Sequence, residues 1–163
     1  MQNQLQYTEM TDAQREQFDQ CGYLVIENAL SSCMVEELNE AIDEVYGRVK
    51  KEGKLHKGGQ LNLRNCIVAH EAFLQLLDWP NTVPLAWAAL SWNIQMITSH
   101  LIVLPSSDEP AEATKKEHGM HRDGGRSSVE MEEPHPRILL KIGYVLSDQT
   151  DPASGATALV PGS

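Results

Sequence analysis

The hydrophobic period of this chain changes between Leu90 and Ile94, and that change limits the folds open to it. Before it, Met34, Leu38, Ile42, Val45 and Val49 recur at helical spacing, with Glu36, Glu37, Glu40 and Glu44 mainly off that stripe. After it, Ile94 to Leu104 is rich in β-branched residues, and Arg137 to Leu146 is apolar on both faces, as in a buried strand. Helices first and strands afterwards indicate an α+β fold with a mainly antiparallel sheet.

Local signals fill in the order. Thr11 or Asp12 caps a short helix through Gln20, with Phe18 facing inward and Gly22 as terminator. Tyr23 to Ile26 reads as a strand, and Ser31 or Ser32 caps the long amphipathic helix. Lys50 to Asn65 turns basic and glycine-containing, which predicts a mobile loop able to cover a site. Glu71 to Asp78 and Pro84 to Leu90 read as two short helices, the first ended by Trp79-Pro80. On the strand Ile94 to Leu104, Thr98 and His100 share a face with Met96 and Ile102. A turn from Ser147 to Gly155 leads to a last strand, Ala156 to Val160. With 163 residues and 41% hydrophobic content, one domain over 1–163 accounts for the whole chain.

Charge and cysteine content narrow the function classes. A formal charge of −10 disfavours a nucleic-acid partner, which needs a basic stripe against its phosphates, and leaves small molecules as the expected ligands. Cys21, Cys33 and Cys66 are widely spaced and form no Cys-x-x-Cys pair, so neither a disulfide framework nor a thiolate zinc site is indicated, and a cytoplasmic location fits. No secretory pattern opens the chain, no run approaches the ~20 apolar residues that span a bilayer, and no membrane partner is expected.

The segment His118-Gly-Met-His-Arg-Asp-Gly-Gly carries the chemistry. His121 and Asp123, two apart on an extended segment, project to the same side and offer one metal an imidazole nitrogen and a carboxylate oxygen. With one further His they form the facial triad of non-haem iron, which leaves coordination positions open. A structural zinc cluster of His118, His121, Asp123 and His135 is the competing arrangement, although structural zinc usually takes thiolates.

Four segments in this order resemble the phytanoyl-CoA dioxygenase family of Fe(II)/2-oxoglutarate-dependent oxygenases: Phe18 to Leu30, Asn93 to Pro105, His121-Arg-Asp123, and Gly143 to Asp148 continuing through Gly155 to Ser163. The resemblance implies N-terminal helices packed on a double-stranded β-helix, a cupin-like jelly roll. It also implies Fe(II), 2-oxoglutarate and O2, and hydroxylation of a small molecule, with His121 and Asp123 on the metal. By the same resemblance Thr98, His100 and Tyr144 face the cosubstrate pocket, although each has an ordinary structural use as well. Relatives continue Pro-Gly-Ser with the distal iron-binding His and then an Arg for 2-oxoglutarate, so the jelly roll is expected to be incomplete at the C-terminus and the fragment inactive. Some relatives also place a Lys before the Pro of the central strand, where this chain has Leu104. The reading from another class is a non-catalytic member that binds a partner through an open sheet edge.

Overall fold

The structure, a computed structural model, describes residues 9–105, 121, 136–150 and 156–162. Helix α1, Asp12–Cys21, starts at a capping box: the Gln14 amide donates to Thr11 Oγ1 at 3.2 Å, and the Thr11 amide donates to Gln14 Oε1 at 2.9 Å. It ends where Gly22 adopts φ 79° and returns its amide to the Phe18 carbonyl. None of its residues is fully buried, so its anchors lie elsewhere in the chain. The Arg137 guanidinium sits 5.3 Å from the Phe18 ring centroid and 2.6 Å from Asp19, and the Gly162 amide donates to the Cys21 carbonyl at 2.9 Å.

Helix α2, Ser32–Lys51, supplies the core. Ser31 Oγ accepts from the Met34 amide at 3.2 Å, and Arg48, Lys50 and Lys51 complement the negative helix end. Its buried stripe is Met34, Leu38, Ala41 and Val45, with Ile42 and Val49 packed at the margin. Against this stripe lie Leu61 of β1 (Leu61–Arg64), Leu101 of β2 (His100–Val103), and Ala72 and Phe73 of a 3-10 segment, Glu71–Leu77. Leu38 and Val45 are wholly enclosed, each worth about 1.5–3 kcal/mol of burial. Trp79 Nε1 and Asn81 Nδ2 both donate to the Ala29 carbonyl, at 2.7 and 3.0 Å, which ties the approach to helix α3 (Val83–Leu90) to the chain entering α2.

Strands β1 and β2 pair antiparallel, Leu61 with Val103 through Arg64 with His100. The helices and this sheet agree with the α+β expectation; among the described residues the sheet has two strands. Several local expectations are corrected. The Lys50 to Asn65 loop is ordered: Tyr46 Oη donates to the Gly59 carbonyl at 2.8 Å, and Leu61 and Leu63 alternate with Asn62 and Arg64 in β1. Gly59 is required there, since φ is 73° and a Cβ would meet Tyr46 Oη at 3.2 Å. Tyr23 to Ile26 and residues 94–99 have no ladder partner among the described residues, so only His100–Val103 of the longer run becomes strand. The same reason corrects Arg137 to Leu146 and Ala156 to Val160: Ile138, Val145 and Leu159 stay more than half exposed, although Tyr144 and Leu146 turn inward. Pro84 lies in the first turn of α3, as expected, but the helix begins one residue earlier and Thr82 precedes it.

Candidate metal and cosubstrate site

Alternation along the β1–β2 ladder sorts its side chains into two faces. Leu61, Leu63, Leu101 and Val103 turn to the core, and Asn62, Arg64, His100 and Ile102 turn outward and are exposed. His100 therefore stands on the face away from α2, exposed, with Ile102 as an apolar neighbour. Thr98 precedes the strand. Its hydroxyl lies 3.5 Å from Asn65 Oδ1, at the limit of a hydrogen bond.

Asn65 organises this end of the ladder. Its backbone is left-handed at φ 55°, a conformation Asn tolerates better than most residues, and its amide donates to the Ser99 carbonyl at 2.6 Å. Ser99 Oγ in turn accepts from the Ile67 amide at 3.0 Å. These bonds fix the chain between Thr98 and His100. The Arg64-Asn65 pair was not singled out from the sequence; the signal was Asn closing a four-residue alternation inside a glycine-rich stretch.

Tyr144 belongs to a different neighbourhood. Its hydroxyl is 2.7 Å from Thr82 Oγ1 at the start of α3, and Thr82 is buried. Burial raises the phenol above its ordinary range, and the Thr82 bond opposes that shift in part. The hydroxyl thus stays protonated through neutral pH and is engaged with protein. Thr82 escaped the sequence reading because Pro84 drew the helix start to itself.

His121 is exposed. Asp123, His118 and His135 lie outside the described residues, so neither the iron pair nor the zinc cluster has a described geometry. Among the described residues no three His, Cys, Asp or Glu side chains gather into a metal site. His70 is taken up locally: Nδ1 accepts the Ala72 amide at 3.1 Å and Nε2 lies 3.4 Å from Glu44. The three cysteines are unpaired with one another, and no helix among the described residues is long and apolar enough to cross a membrane.

Mixed helix and a small antiparallel sheet are compatible with an α+β domain, and of the three cosubstrate candidates His100 alone lies on the sheet's outer face. The phytanoyl-CoA dioxygenase (PhyH) family model matches residues 18–163, and the chain belongs to that family. Its members are generally dioxygenases that use Fe(II), 2-oxoglutarate and O2. No curated protein and no solved structure matches the chain.

Proposed function

We propose that this protein is an Fe(II)/2-oxoglutarate-dependent dioxygenase that hydroxylates a small molecule. The observation that carries the reading is the family match over residues 18–163, which includes His121-Arg122-Asp123. The domain is single, and its sheet is of the jelly-roll type. It works in the cytoplasm, without nucleic-acid or membrane partners, consistent with the −10 charge and free cysteines.

The donor set fits ferrous iron: an imidazole nitrogen from His121 and a carboxylate oxygen from Asp123, the latter offsetting one charge of the metal. When bound, the iron couples decarboxylation of 2-oxoglutarate by O2, giving succinate and CO2, to oxidation of a C–H bond. The chain's own contribution is position and exclusion of water. Thr98 and His100 offer hydrogen-bonding groups to the cosubstrate, and Ile102 supplies an apolar wall on the same face as His100. Tyr144, protonated and held by Thr82, presents an aromatic ring rather than a charge. Asp123 at the metal also favours hydroxylation over halogenation, which needs a small residue in that position to admit halide.

The test uses a form extended past Ser163 with the distal His and the Arg that relatives carry there, adds Fe(II) and 2-oxoglutarate under anaerobic conditions, and looks for the weak visible band of a chelated ferrous centre, then for succinate release on admitting O2. Asp123→Ala is expected to abolish both, because loss of the carboxylate weakens iron binding and opens the facial geometry. Undiminished succinate in Asp123→Ala would show that the ligand is wrongly assigned. Binding of 2-oxoglutarate unaffected by removal of iron would favour the metal-independent binding module instead.

A further inference from the structure

The outer face of the β1–β2 ladder carries a cation that the proposed chemistry does not use. Arg64 lies directly across the ladder from His100, and such pairs hold their Cβ atoms about 4.5–5.5 Å apart on one face. Arg64 is exposed and forms no ion pair among the described residues. It also lines a cleft of about 390 Å³ between β1 and the end of α2, together with Asn62, Asn65, Arg48 and His56. The carboxylate lining that cleft, Glu52, is taken up by Lys54 at 2.8 Å, and the Arg48 guanidinium is steadied by the Ala69 carbonyl at 3.0 Å.

The charge is concentrated here against the trend of the molecule. Residues 48–64 hold Arg48, Lys50, Lys51, Lys54, Lys57 and Arg64 against Glu52 alone, in a chain of net charge −10. Complementing the C-terminal dipole of α2 explains Arg48, Lys50 and Lys51. It does not explain Arg64, which belongs to a strand and points with His100. In the cleft a guanidinium flanked by two asparagine amides matches the planar and tetrahedral oxyanions of carboxylates and phosphates, while His100 lies across the ladder and outside the lining. The cleft has the volume of a small-molecule pocket, whose usual range is about 300–1,000 Å³.

We propose that Arg64, with Asn62 and Asn65 beside it in this cleft, holds an oxyanion, carboxylate or phosphate, of the small-molecule substrate. The substrate assignment rests on the dioxygenase reading; the binding of an oxyanion does not. The test is a nitrogen-15 NMR titration of the full metal-free chain with acetate, with inorganic phosphate, and with acetamide as the neutral counterpart of acetate. Saturable shifts at Asn62, Arg64 and Asn65 are expected with the anions and not with acetamide, and the tighter of the two anions identifies the group. Arg64→Gln weakens binding by about tenfold or more, the value of one charge-assisted hydrogen bond, while Arg64→Lys retains part of it. Lys51→Gln, on the helix end, leaves it unchanged. Equal shifts with acetamide, or undiminished binding in Arg64→Gln, would overturn the proposal. Repeating the titration with Zn(II), a diamagnetic stand-in for Fe(II), and 2-oxoglutarate bound separates the two molecules: persistence of the anion shifts supports a substrate subsite, and their competitive loss assigns the position to the cosubstrate instead. Failure of the dioxygenase reading registers separately, as absence of the ferrous band with the titration intact.

Discussion

Replacing Tyr144 with Phe removes one oxygen and keeps the ring, so it isolates the contact that docks the 136–150 segment on α3. The lost bond is 2.7 Å long and its partner, Thr82, is 7% exposed. Stranding a buried hydroxyl costs about 1–3 kcal/mol, but Thr82 Oγ1 also lies 3.5 Å from the Trp79 carbonyl and keeps a weak acceptor. The expected destabilisation is therefore near the low end, about 1 kcal/mol, or about 0.5 M in urea midpoint for a slope of about 2 kcal/mol/M. A double-mutant cycle with Thr82→Val should return a coupling of about 1 kcal/mol. Alkaline pH gives an independent readout. Because burial raises the folded phenol above its unfolded value of about 10, its contribution is complete below pH 10 and is lost as pH rises through the raised folded value. The stability gap between wild type and Tyr144→Phe should thus narrow above pH 10. A coupling below about 0.3 kcal/mol, or a gap that does not change with pH, would place the hydroxyl in water and refute the docking.

Leu38→Ala should cost about 2–5 kcal/mol by urea denaturation, because Leu38 is wholly enclosed between α2 and the sheet. Val68→Ala, at a residue 80% exposed, should stay within about 0.5 kcal/mol, and equal shifts for the two would contradict the assigned core. Ser31→Ala should lose about 1 kcal/mol by leaving the Met34 amide without its cap, and an unchanged midpoint would show that Ser32 or water serves instead.

Elements whose stability is local were legible from the residues. Thr11, Gln14 and Gly22 specify both ends of α1 within a dozen residues, and the Met34-Leu38-Val45 stripe announces the buried side of α2. Ala41 completes that stripe but is too weakly hydrophobic to stand out. Strands were harder, since a strand exists only where a partner satisfies its backbone. Leu61 to Arg64 looked like loop because glycines precede it, whereas Ile94 to Ser99 looked like strand on composition alone. For the site, period two correctly placed His100 with Ile102. The cross-strand neighbour Arg64 depended on a register that no local pattern supplies. Tyr144 was singled out by resemblance, while its partner Thr82 is 62 residues away and invisible to any window.

The attachment of α1 bears on how the protein is made. Its ten residues bury nothing fully, and an isolated helix of that length is marginal in water. Arg137, which grips Phe18 and Asp19, is 118 residues downstream, and Gly162 is farther still. At synthesis rates of about 5–20 residues per second, Asp19 joins the growing chain roughly 6 to 24 s before Arg137 is added, and α1 emerges from the ribosome within that interval. Once emerged, and with the Arg15 bond to the Ala88 carbonyl as an earlier tie at 3.3 Å, the N-terminal helix is still accessible to proteases and chaperones, and the late-arriving segments act as the clasp that ends its exposure.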